Sequence, residues 1–264
     1  MSRVIVITSG KGGVGKSTIT ASLGRKLAQN GESVVLLDTD FGLNNLDVLL
    51  GVENGIVYDI VDVICNRCRV KQALVEVDEC KNLFVLPSAH TYDESKIDAQ
   101  SIRAVIESLK PYFTYILIDC PAGIERGFHR AVSVADEAIV VSTPHLSSVR
   151  DGKIAVELIR SYKIDKISVV VNRARGDMEK TGDSVSGVDV SNALGVSLLG
   201  VVPDADEINA ISTLSIFPDK KTRADKALDL LCKKLQFGVG EIFDASARYD
   251  GFIGSIRRKF RKLG

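Results

Sequence analysis

Short apolar runs recur along the chain, at Val4–Ile7, Val34–Leu37, Leu83–Leu86, Tyr115–Ile118, Ala138–Val141, Ile167–Val171 and Leu198–Val202. A strand wet on one face alternates apolar with polar positions. Runs that stay apolar at successive positions suit parallel strands covered on both faces. Between the runs, apolar residues return at helical spacing. One helix is predicted over about Lys16–Asn30, stopping at Gly31, and another over about Ser101–Lys110, with Ile102, Val105, Ile106 and Leu109 on one face. A third opens near Ser147 and carries Ile154, Leu158 and Ile159, and a fourth covers about Thr222–Leu235. Strand–helix alternation of this kind predicts an α/β fold, a mostly parallel sheet with helices on both faces. The polar, Gly/Ser-rich stretch 174–187 predicts a loop, and 238–250 a linker. The expected organisation is one domain over 1–237, the linker, and a terminal helix over 251–264.

Length and composition fit that picture. The chain has 264 residues, 45% of them hydrophobic, enough for one large domain with a buried core. Formal net charge is zero, but the last fourteen residues hold five basic side chains and no acidic one, which leaves an acidic excess of five on the rest. That balance argues against a bulk nucleic-acid binder, and no nucleic-acid partner is expected. Five cysteines, at 65, 68, 80, 120 and 232, are an odd number in a long chain and do not suggest a disulfide framework. The apolar N-terminal run is a strand in length, not a leader, and no stretch approaches ~18 apolar residues. A cytoplasmic, reducing location is the expectation. Cys65-Asn66-Arg67-Cys68 is a lone C-x-x-C, and zinc would need two further ligands, so these read as incidental thiols.

The chemistry concentrates after the first strand. Gly10-Lys11-Gly12-Gly13-Val14-Gly15-Lys16-Ser17-Thr18 fits G-x-x-x-x-G-K-[ST] between a strand and a helix. Glycines let successive N–H groups converge on phosphate oxygens, and the helix that opens at Lys16 adds its positive end. Lys16 can reach the β- and γ-phosphates of ATP, or the β-phosphate of ADP, and the Ser17 hydroxyl can ligate Mg²⁺. The second run ends in Asp38-Thr39-Asp40, beyond the carboxyl end of a strand, where α/β proteins bind ligands. One of these carboxylates can hold a Mg²⁺-bound water and the other can orient an attacking water. Tyr115–Asp119 is an apolar strand closing in an acid, so Asp119 should accept from a Mg²⁺ water.

Lys11, directly after the first glycine, is not needed by a plain P-loop. With it, the loop resembles the deviant Walker A sequence of the family that includes MinD, ParA and the nitrogenase iron protein. The resemblance implies that two ATP-bound subunits face each other, with Lys11 of one reaching the nucleotide of the other. Asp38–Asp47 and Cys120–Phe128 look like the two switch segments of the family's cell-division members. The likeness gives Asp40 the task of positioning the hydrolytic water and lets Gly123 offer its N–H to the γ-phosphate. Asn172-Arg173, after a strand, resembles the segment whose asparagine reads the adenine edge, and Pro203-Asp204 the second adenine contact. The residues around Cys120 match the cell-division members, not the cluster-binding iron protein. The chain departs from the family at Lys153, usually acidic, on a helix that implies a partner surface. A second departure is Ser212–Pro218, which lacks the family's glycine-containing run.

The tail carries a further signal. In helical projection Phe252, Ile253, Ile256, Phe260 and Leu263 share a sector of about 100°. Arg257, Arg258, Lys259, Arg261 and Lys262 fill the rest. Such a helix suits the interface of an anionic membrane, and two copies on one dimer would bind with avidity. Together with this tail, the family resemblance implies an ATPase of cell-division site selection. It would form an ATP-dependent homodimer and lie on the inner face of the membrane when ATP-bound. It would recruit a division inhibitor (MinC-like), and a hydrolysis-stimulating protein (MinE-like) would release it. A ParA-like DNA-partition ATPase and a flagellar-number ATPase are the rival readings.

Overall fold

The computed structural model describes residues 2–41, 45–89, 97–218, 221–250 and 254. Its strands are β1 (Arg3–Thr8), β2 (Val34–Asp38), β3 (Val75–Glu76), β4 (Leu83–Leu86), β5 (Tyr115–Asp119), β6 (Glu137–Ser142), β7 (Ile167–Ala174) and β8 (Ser197–Pro203). They form a single sheet in the order β3-β4-β2-β5-β1-β6-β7-β8. All neighbours are parallel except β3 and β4. The apolar runs thus become the sheet as expected. The two-residue edge strand β3 is too short to leave a pattern in the sequence.

The continuous apolar runs are explained by the two layers they serve. Val4, Val6, Val35, Leu37, Ile116 and Ile118 face one helical layer. It includes α5 (Ala99–Leu109), α6 (Arg126–Val132), α7 (Leu146–Ser161) and α9 (Gly187–Leu194). Ile5, Ile7, Val34, Leu36 and Leu117 face the other. That layer holds α1 (Lys16–Gln29), α2 (Asn45–Leu50), α10 (Asp206–Leu214) and α11 (Arg223–Phe237). Short helices α3 (Ile60–Ile64) and α4 (Val70–Ala73) lie between α2 and β3 in the chain. Caps set several boundaries: Asp98 accepts from Ser101 N at 2.7 Å before α5, and Thr222 from Asp225 N at 3.1 Å before α11.

Two expectations change. The loop expected over 174–187 contains α8 (Gly176–Thr181), which carries Asp177 and Glu179 in its first turn and closes on left-handed Gly182. Its Gly and polar content is capping chemistry, which composition alone does not separate from a loop. The stretch expected as a linker carries buried Phe243, Ala245 and Tyr249 and a 3-10 turn over Ala247–Tyr249. It lies on the domain instead of hanging from it. Among the described residues no helix is long and apolar enough to cross a membrane.

Candidate functional site

β1 runs through the middle of the sheet, between β5 and β6. The chain leaves it at the carboxyl edge, turns through the glycine-rich loop and enters α1. Ile7 and Asp38 both lie abreast of Asp119, so register alone gathers the loop, the end of β2 and the end of β5. Two glycines are obligatory for geometric reasons. A Cβ on Gly10 would sit 2.2 Å from the Asp151 carbonyl oxygen, because the loop packs on the backbone of α7. Gly15 has φ +89, and a Cβ there would lie 2.3 Å from Asn172 Nδ2. The loop encloses a cleft of about 490 Å³ lined by Ser9, Gly12, Gly13, Gly15, Lys16, Ser17, Thr18, Asp40, Val48, Leu49, Ala122, Arg173 and Ser212.

The polar groups are arranged around one buried ion pair. Lys16 Nζ donates to Asp119 Oδ1 at 2.8 Å and to Ser17 Oγ at 3.2 Å. Thr20 Oγ1 donates to the same Asp119 oxygen at 3.0 Å. Burial alone would lower the Lys16 ammonium, but the charge and hydrogen bond of Asp119 outweigh it and the pKa is raised. Asp119 Oδ2 is buried and has no hydrogen-bond partner among the described residues. Asp38 accepts from Asp40 N at 2.9 Å and from Leu46 N at 3.2 Å, so its carboxylate holds the start of the expected first switch onto α2. Burial, and then the charge of Asp119, push its carboxyl up to about 7. Asp40 lines the cleft, and burial raises its pKa against the pull of Lys16.

The other expected positions are spread around this centre. Lys11 is exposed at the loop's rim, and its carbonyl accepts from Ser9 Oγ at 2.9 Å. Gly123 has φ +87, and its N–H donates to Ser9 O at 3.1 Å. Asn172 is buried, and its Nδ2 donates to Val14 O at 2.8 Å. The amide expected at a base edge therefore also props the P-loop, while its Oδ1 has no partner among the described residues. Arg173 is exposed in left-handed conformation, φ +57, and lines the cleft. Pro203 and Asp204 lie outside that cleft, in a neighbouring recess at the ends of β7 and β8. Cys65 and Cys68 are half-buried. The tail positions Phe252, Ile253, Ile256, Arg257, Arg258, Phe260, Arg261 and Leu263 lie outside the described residues.

These groups suit a magnesium nucleotide. The loop offers curled backbone and a lysine to phosphate, and Ser17 and the unpartnered Asp119 oxygen are hard donors of the kind Mg²⁺ takes. The family model described as the CobQ/CobB/MinD/ParA nucleotide-binding domain matches residues 5–214. The chain belongs to that family. Its likeness to the family's septum site-determining MinD proteins runs nearly end to end. It is 42% identical to the Synechocystis protein over 98% of both chains, and 44% identical to that of Bacillus subtilis over 89% of both. The Aquifex aeolicus MinD solved in a MinC:MinD complex superposes with a TM-score of 0.83 at 38% identity, covering 91% of this chain and 97% of that one. A Pyrococcus horikoshii MinD complexed with Mg-ADP gives 0.79 at 28% identity.

Some site residues escaped the sequence reading. Thr20 joins the ion pair, and Thr39 Oγ1 donates to Asp119 O at 2.8 Å, tying the expected first switch to β5. Thr20 sits one helical turn beyond Lys16, and that spacing was the available signal. Ser212, in a segment that departs from the family pattern, lines the cleft, and nearby Ser215 Oγ donates to Val48 O at 2.8 Å. Lys153, the other departure, is exposed on α7.

Proposed function

We propose that this chain is a Mg²⁺-dependent ATPase of division-site selection, working as an ATP-dependent homodimer on the inner face of the cell membrane. The observation that carries the reading is the Lys11/Lys16 loop closed on Asp119, in a chain alike to MinD proteins over nearly its whole length. Lys16 and Ser17 hold phosphate and metal, and Asp119 supports the metal, partly through water. Mg²⁺, when bound, neutralises charge on the phosphates. Asp40 orients the attacking water. Lys11, exposed at the rim, reaches the nucleotide of the facing subunit. Gly123 N–H exchanges Ser9 O for the terminal phosphate. Asn172, Arg173, Pro203 and Asp204 meet the base. Among the described residues no side chain other than Lys11 is assigned to the facing nucleotide, so unstimulated turnover should be slow.

The basic, apolar-striped tail of residues 251–264 supports membrane binding, with ATP supplying two tails per dimer. A division inhibitor resembling MinC is a partner of the ATP-bound form, in line with the complex known for the Aquifex relative. A MinE-like stimulator is the second partner. The test is co-sedimentation with anionic vesicles, comparing ATP with ADP and the full chain with one ending at Asp250. ATP-dependent pelleting that vanishes without the tail is the expected result. Pelleting equal in both nucleotides would overturn the switch.

A further inference from the structure

Beside the P-loop cleft, a recess of about 220 Å³ opens over the carboxyl ends of β7 and β8. Ala174, Pro203 and Asp204 form its sheet side, and Arg223, Arg248 and Tyr249 line it as well. Consecutive residues of β7 line the two cavities, Arg173 the cleft and Ala174 the recess. A heterocycle directed from the loop along the end of β7 would face this recess.

The wall made by Arg248 and Tyr249 belongs to the stretch that leads out of the domain to the tail. That stretch is firmly built in. A Cβ on Gly176 would lie 2.1 Å from Ala245 O, so glycine lets the two backbones touch. Arg223 Nη2 donates to Ala245 O at 3.3 Å, and its guanidinium lies 5.2 Å from the Phe243 ring centre. Asp244 Oδ1 accepts from Ser246 N, Ser246 Oγ and Ala247 N at 2.8, 2.8 and 3.1 Å, closing the turn. Tyr249 is buried, whereas Arg248 is exposed with its guanidinium 4.7 Å from the Tyr249 ring centre. Lys180 pairs with Asp250 at 2.7 Å where the stretch ends.

We propose that residues 245–249 form the outer wall of a purine-base pocket, with Arg248 lying against the base, so that base occupancy clamps the root of the C-terminal segment. The inference rests on the nucleotide-binding reading above. A planar guanidinium pairs well with an aromatic face, and a ligand that contacts only the closed root shifts its opening equilibrium by mass action. Nucleotide would then act on the root within a single subunit, before any dimer forms.

Amide hydrogen exchange on the full chain tests this, with ADP, with pyrophosphate and with neither. ADP should slow exchange over 243–250 by at least about tenfold at saturation, whereas pyrophosphate should protect only the loop at 10–18. Arg248→Ala should weaken ADP binding about fivefold by calorimetry and leave pyrophosphate binding unchanged. Equal protection of 243–250 by both ligands, or by neither while ADP binds, would overturn the wall, and so would an unchanged ADP affinity in Arg248→Ala. If the unaltered chain binds neither ADP nor pyrophosphate, the nucleotide reading fails and takes this inference with it.

Discussion

Asp38 offers a direct test of the electrostatics at the centre of the site. Its carboxyl is pushed from 3.8 to about 7, first by burial and then by the neighbouring Asp119 charge. The folded protein therefore holds this proton more tightly than the unfolded chain. Between those two values the native state binds more protons, so stability falls as pH rises, and the whole effect amounts to about 4 kcal/mol. The contribution is fully present below pH ~3.8 and lost above pH ~7. Asp38→Asn removes the titration. It also places an amide where both carboxylate oxygens accept backbone N–H groups, a fixed cost of about 1–3 kcal/mol. That cost does not vary with pH, so it cancels when two pH values are compared. The stability of the variant relative to the parent should rise by about 2–3 kcal/mol from pH 5 to pH 8. Urea unfolding at pH 5, 6, 7 and 8, with EDTA and without nucleotide, measures it, and titrating groups that do not interact with Asp38 cancel in the difference. A difference that stays flat, or falls with pH, would refute the account of Asp38.

Lys16→Met should lower the urea midpoint in the absence of nucleotide as well as abolish nucleotide binding, because it strands Asp119 beside Asp38. Loss of one partner from a buried pair costs about 3–5 kcal/mol, and an unchanged midpoint would contradict the ion pair. Gly10→Ala should destabilise by about 1–3 kcal/mol, since its methyl meets the α7 backbone at Asp151 and not a yielding side chain. Calorimetric unfolding would read this, with a normal melting temperature as the opposing result. Burial pushes the Cys120 and Cys232 thiols up to about 12. Iodoacetamide at pH 8 should therefore label half-buried Cys65 and Cys68 first by mass spectrometry, and reach Cys120 and Cys232 only after unfolding.

The sheet was legible because a strand covered on both faces must be apolar at every position, and few other structures need such runs. The P-loop was legible because its glycines and lysine follow one another in the chain. What could not be read depends on partners distant in sequence. Lys26 ties α1 to α11 through Asp225 and Asp229, and Asn172 reaches the P-loop from β7. Neither contact leaves a local pattern. The same limit touches function. A motif names the group that a ligand will use, yet a buried polar group is partnered within the fold as well. Lys16 is held by Asp119, Gly123 N–H by Ser9 O, and the Asn172 amide by Val14 O. On the proposed roles, a nucleotide would compete for Lys16 and for the Gly123 N–H, whereas Asn172 Oδ1, without a partner among the described residues, stays open to it. The three internal partners lie on β5, after β1 and inside the loop. On the proposed roles, binding at phosphate and at the second switch is an exchange made with different elements of the fold, whereas the base would meet an amide already anchored to the loop.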